Sequence, residues 1–162
     1  MGLSNSKDSN LQKQLLDCIE KNQDGKLSAF LEEHPEMVNS KLCNNSTNTM
    51  CRACFLGYKN IVIILIKKGA DVNQCSSNGR SPLMWAAYRN HAHVIDYLLE
   101  NGADTEIRDS ATKLNAFELA VTLVNYEAAH ILRERAGMDT PKEQRTPLYD
   151  EIGGEVVDEL YR

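Results

Sequence analysis

Apolar residues in this chain fall at helical spacing over short segments: Leu27, Phe30 and Leu31; Val94, Ile95, Leu98 and Leu99; Ala128, Ala129 and Leu132. Steps of one, three and four place these residues on one face of a helix and turn that face toward a core. The longest uninterrupted apolar run is IVIILI, from Ile61 to Ile66, far short of the roughly 18 residues a membrane span needs. The segments also recur at a fixed distance. LIKKGADVN, from Leu65 to Asn73, returns as LLENGADTE, from Leu98 to Glu106, which is 98 − 65 = 33 residues later. Self-similarity at such a period marks stacked repeats, in which no single unit buries its own apolar faces and neighbours bury them together.

Between the two copies lies NGRSPLMWAAYRNHAHVIDYLLENGAD, which resembles the ankyrin repeat pattern GxTPLHxAAxxGHxxVVxxLLxxGAD. Gly79, Ser81, Pro82, Leu83, Ala86, Ala87, His91, Val94, Ile95, Leu98, Leu99, Gly102, Ala103 and Asp104 fall in register. The resemblance implies an all-α ankyrin-repeat solenoid whose units each comprise a helix, a turn, a second helix and a hairpin-like loop. Pro82 suits a first helical turn, where its missing N–H has no intrahelical acceptor. Gly102 suits the left-handed position that ends a second helix.

Aligned outward from this unit, NTMCRACFLGYKNIVIILIKKGAD gives a second repeat, with Met50 at the Leu slot, Ala53 and Cys54 at the two Ala slots and Gly57 at the turn. A fourth repeat places Ala116, Phe117, Leu119, Ala120, Ala128, Ala129 and Leu132 in core slots. A first repeat does so with Leu16, Ile19, Leu27, Phe30, Leu31 and Val38. Four repeats are therefore expected over residues 11–138, approximately 11–46, 47–79, 80–113 and 114–138. They are flanked by a flexible, polar stretch at 1–10 and an acidic tail at 139–162. The first and fourth repeats lack TPLH, as terminal repeats with one face in water commonly do.

The chemistry-bearing residues shrink against this frame. Cys51 and Cys54 form a CxxC, but no second close pair completes a zinc site, and the polar KLCNNSTNT before them is not the strand a redox dithiol needs. In the repeat alignment Cys54 fills a small core slot and Cys51 the slot of the family's His, so the spacing reads as helix packing. His91 falls at the family's turn histidine, where a structural hydrogen bond is implied, and His93 on the second helix, in solvent. NQDGKLS, at Asn22 to Ser28, looks like a calcium loop, yet Gly25 at loop position 6 puts Leu31 where a bidentate Glu is required. No nucleophile with a base and an orienting partner is apparent, and no phosphate-cradling Gly-rich loop. The reading is a non-enzymatic protein without metal or cofactor. A CxxC redox or zinc protein is the rival from another class.

Net charge changes the picture along the chain. The whole carries −5; residues 139–162 hold seven acids and three bases, −4, which leaves −1 for residues 1–138. No basic stripe tracks a nucleic-acid backbone, and no small-molecule substrate is suggested. An odd number of cysteines, five, and the lack of a secretory-signal pattern suit the cytoplasm, with the nucleus left open.

The family resemblance implies a concave surface, built from loop tips and the two residues after the paired alanines, that binds another protein. Those positions are Phe55 and Leu56 in the second repeat, Ser77, Asn78, Arg80, Tyr88 and Arg89 in the third, and Leu114, Thr122 and Leu123 in the fourth. Apolar residues flanked by Arg on a surface mark binding sites; irregular packing between imperfect repeats is the plainer reading. The expected ligand is partly apolar and partly acidic.

Both ends carry separate signals. MGLSNSK fits the N-myristoylation pattern through Gly2 and Ser6, which suggests peripheral membrane association, marginal with one acyl chain. The tail TPLYDEIGGEVVDELYR reads in three ways: a degenerate fifth repeat, a capping helix using Val156, Val157 and Leu160, or a docking segment in which Tyr149 to Ile152, YDEI, resembles motifs read by SH2 domains. The function expected is thus an ankyrin-repeat adaptor binding a partner protein through its concave face. The alternative is a fixed subunit or assembly chaperone of a larger complex that makes contact through the tail.

Overall fold

The computed structural model describes residues 4–42 and 47–137. Among them eight α-helices form four antiparallel pairs: α1 (Ser4–Glu20) with α2 (Asp24–Glu33), α3 (Thr49–Leu56) with α4 (Lys59–Lys67), α5 (Pro82–Tyr88) with α6 (Ala92–Glu100), and α7 (Ala116–Thr122) with α8 (Tyr126–Ala136). Odd-numbered helices pack on one another in an inner row and even-numbered helices in an outer row. Two layers result, with the core between them: Leu15, Ile19, Leu27 and Leu31 in the first pair, Met50, Ile61 and Leu65 in the second, Leu83, Met84, Ile95 and Leu98 in the third, Phe117 and Leu132 in the fourth. The architecture is the all-α ankyrin solenoid.

Each inner helix after the first starts at a side-chain cap. Asn48 accepts from the Cys51 amide at 2.8 Å, Ser81 from Met84 at 3.3 Å, and Asn115 from Glu118 at 2.9 Å. Glu118 returns the bond to the Asn115 amide, closing a capping box. Removing such a cap costs about 1 kcal/mol. Pro82 sits at the first turn of α5, where its ring replaces an N–H that has no intrahelical use.

The helices of every pair are joined through a residue of positive φ: Asn22 (52°), Gly57 (76°), Asn90 (58°) and Val124 (60°). Long loops between pairs are stitched to one another by asparagines. Asn39 donates to the Gly69 carbonyl at 3.4 Å and accepts from the Asp71 amide at 2.9 Å; Asn73 repeats the pattern on Gly102 and Asp104, at 3.2 and 2.8 Å.

One boundary departs from the sequence reading. Helix α1 opens at Ser4, whereas residues 1–10 were expected to be flexible and the first repeat to start at Leu11. The polar residues SNSKDSN extend the helix beyond its apolar part, which begins at Leu11; no residue in that stretch is Pro or Gly to stop it.

Candidate protein-binding surface

The inner row places Arg52 and Phe55 on α3 beside Trp85 and Tyr88 on α5. Residues three apart on a helix share a face, so Arg52 stands with Phe55 and Trp85 with Tyr88. Phe55 meets Trp85 edge to face at 5.6 Å between ring centroids and stacks on Tyr88 at 6.4 Å; Trp85 and Tyr88 meet edge to face at 5.8 Å. Three guanidiniums lie over these rings. Arg89 is 4.9 Å and Arg52 5.5 Å from the Phe55 centroid, and Arg80 is 5.2 Å from Trp85 and 5.4 Å from Tyr88. Such contacts contribute about 0.5–1 kcal/mol each at exposed sites, and together they hold the side chains in one arrangement.

Two of the three arginines are anchored. Arg80 Nε donates to Asp109 at 3.1 Å, and Arg52 pairs with Glu20 at 2.6 Å. Burial alone would raise the Asp109 pKa, but bonds from the Thr112 hydroxyl and amide, together with Arg80, outweigh it and bring it down to about 2. The Trp85 indole N–H donates to Ser76 Oγ at 3.2 Å, and that hydroxyl also meets the Arg80 carbonyl at 2.9 Å. Arg89, exposed, has no carboxylate partner among the described residues. Tyr88 is 37% exposed, so the cluster is tied by polar contacts below and open above.

Of the residues expected on this surface, Phe55, Arg80, Tyr88 and Arg89 converge in the cluster. Ser77 and Asn78 are exposed at the neighbouring loop tip, where Asn78 accepts from Ser76 Oγ at 2.6 Å. Leu56 and Leu114 are half-buried and pack against the core. Thr122 and Leu123 are exposed, Leu123 to 40%, at the turn of the last helix pair. Gly2, Tyr149 and Ile152 lie outside the described residues. Arg52 and Trp85 join the cluster from outside the expected positions; each lies one helical turn before an expected residue, Phe55 and Tyr88, and that spacing is the sequence signal for them.

The CxxC lies in α3 with both side chains fully buried. Burial pushes the Cys51 thiol up to about 12, aided by nearby Cys75, and Cys54 well above its ordinary range. The Cys51 sulfur lies 3.5 Å from the Gln74 carbonyl oxygen and 3.7 Å from that of Arg80, so it ties α3 to the loop that carries Arg80. Both cysteines act as small core residues rather than thiolates. No group of three or more His, Cys, Asp and Glu that could hold a metal occurs among the described residues. His91 is half-buried, its ring over Gly57 and its Nε2 3.1 Å from the Phe55 carbonyl oxygen; His93 is exposed and meets the Gly57 carbonyl oxygen at 3.0 Å.

The family model described as "Ankyrin repeats (3 copies)" matches residues 5–109, well over half of the chain. The mouse Ankyrin repeat domain-containing protein 40 is 52% identical over 44 residues, 26% of this chain and 12% of its own length. The mouse Ankyrin repeat and SAM domain-containing protein 6 is 32% identical over 121 residues, 73% of this chain and 13% of its own. A Lachancea kluyveri protein named Palmitoyltransferase AKR1 is 39% identical over 66 residues, covering 40% and 9%. The chain thus spans only about an eighth of the length of the first relatives it matches. The matched segments are repeats, and ankyrin repeats generally mediate protein–protein interaction. The chain belongs to the ankyrin-repeat family.

Proposed function

We propose that this chain is a non-enzymatic adaptor that binds a partner protein through the inner face of α3 and α5. The observation that carries this reading is the Phe55–Trp85–Tyr88 platform under Arg52, Arg80 and Arg89. Trp, Tyr and Arg dominate binding hot spots, and side chains already fixed by stacking and by the Asp109 and Glu20 pairs lose little entropy on binding. Tyr88 and Arg89 stand outermost and are the anchors. The site of action is cytoplasmic, and myristate on Gly2 would add weak membrane attachment; incorporation of an alkyne-myristate analogue that Gly2→Ala abolishes tests that part.

Capture from native lysate tests the surface, comparing wild type, Tyr88→Glu/Arg89→Glu, and Lys67→Glu on the outer helix α4. A specific partner lost with the first variant and kept with the second supports the adaptor. A partner indifferent to the groove but lost when the chain is cut after Met138 would instead favour the subunit that makes contact through its tail.

A further inference from the structure

We propose that the platform on α3 and α5 is occupied in the resting chain by the chain's own acidic segment, residues 139–162. The inference rests on the groove reading above and names its occupant. Charge complementarity points there. The cluster brings three guanidiniums together against two carboxylates, Glu20 and Asp109, each already paired inside the fold. Arg89 is left without a carboxylate among the described residues, and the η nitrogens of Arg80 remain beyond the Nε that holds Asp109. A net-positive groove on a chain of charge −5 has its complement in residues 139–162, which carry −4 of that charge.

The segment also supplies apolar groups for the rings. Leu148, Tyr149 and Ile152 flank Asp150 and Glu151, and Val156, Val157, Leu160 and Tyr161 flank Asp158 and Glu159. Carboxylates beside an apolar side chain can meet guanidiniums at their edges while the apolar group covers the aromatic faces.

Reach is not limiting. Tyr149 follows Gly137 by 149 − 137 = 12 residues, an extended span of about 40 Å. Helix α5 lies one repeat before the α7–α8 pair, and neighbouring helices pack about 10 Å apart. Tethering relaxes the affinity required. A tether of a dozen residues sets an effective concentration of about 1 mM, so an intrinsic Kd of about 100 μM keeps the site roughly nine-tenths filled. An external partner must displace the segment and should share its acidic, apolar chemistry.

The chain has one tryptophan, and Trp85 sits in the platform, so its fluorescence reports occupancy in the intact protein. Acrylamide quenching of Trp85 would be compared between the full chain and a full-length variant carrying Asp150→Asn, Glu151→Gln, Glu155→Gln, Asp158→Asn and Glu159→Gln, with circular dichroism confirming the fold of both. The proposal expects quenching to rise about twofold in the variant and to fall again on adding a synthetic 146–162 peptide, half-saturating near 100 μM. Arg89→Glu should raise quenching in the wild-type background and add nothing to the neutralised tail. Equal quenching in the two chains, with no response to the peptide, overturns the proposal, as would follow if the segment covered the Leu123–Val124 turn instead. If that happens while Tyr88→Glu/Arg89→Glu still abolishes partner capture, the groove reading stands and this inference alone fails.

Discussion

The second and fourth helix pairs solve the same turn differently. Gly57 and Val124 both hold φ near the left-handed region, at 76° and 60°. Gly57 is covered by the next repeat: the His91 ring lies where a Cβ would stand, 2.6 Å from its Cε1, and both His91 and His93 bond carbonyls of that turn. Asn90, one repeat on, is likewise engaged; its carboxamide oxygen accepts from the Ala128 amide at 2.9 Å, and Asn125 donates to the Ala87 and Tyr88 carbonyls. Val124 is 45% exposed, with exposed Leu123 beside it. An interior turn is thus selected by its neighbour's packing, whereas the fourth turn tolerates a β-branched residue in a backbone region that such residues avoid.

The most damaging way to break the contrast is Gly57→Val. It adds left-handed strain and a clash with His91, and unfolding in denaturant should lose more than about 3 kcal/mol. Gly102→Ala, also at positive φ but with open space around it, should lose only about 1–2 kcal/mol.

Asp109→Ala should follow at about 2–3 kcal/mol, because the Arg80, Thr112 and Lys113 donors lose their acceptor. Its pKa, low in the folded state, gives the pH signature. Stability from this carboxylate is complete above its unfolded value near 4 and is lost as pH falls toward about 2. Acid unfolding of Asp109→Asn should lack that slope.

A smaller effect belongs to His91, whose pKa is lowered by burial, only partly opposed by the Phe55 carbonyl, with His93 and Arg89 lowering it further. A depressed histidine favours the neutral folded form, so its contribution is full above about pH 6.5 and declines as pH falls below it. Thermal melts should show a shallow decline from pH 7 to 5 that His91→Gln flattens. The smallest change has the opposite sign. Val124→Asn puts at the fourth turn the residue found at the first and third, and it should stabilise the fold by about 1 kcal/mol in the same denaturant assay.

The interior repeats were legible because most of their side chains answer to a neighbour: Ala86, Leu98 and Gly102 recur as Ala53, Leu65 and Gly69, where packing or backbone geometry demands them. The same alignment showed Cys51 and Cys54 to be core positions, which their burial explains. The N-terminal limit was harder to read because the start of α1 is polar on every side and gives no periodic signal. At the surface, taking only the two residues after the alanines selected Phe55, Tyr88 and Arg89 but missed Arg52 and Trp85, one helical turn earlier. Leu56, expected in the groove, is half-buried against the core, as Trp85 is, but has no ring contact in the cluster. A template gives the face of a residue, while burial on an imperfect repeat depends on how closely its neighbour approaches.

We propose that the inner face of α3 and α5 carries binding. Hydrogen–deuterium exchange of the full-length chain with the neutralised acidic segment, alone and with its captured partner, tests it. Added protection is expected in Thr49–Leu56, in Pro82–Tyr88 and in the loop holding Ser77 to Arg80, with little change in α4 and α6. Protection confined to the outer helices, or to α8 and the residues after it, would contradict the account.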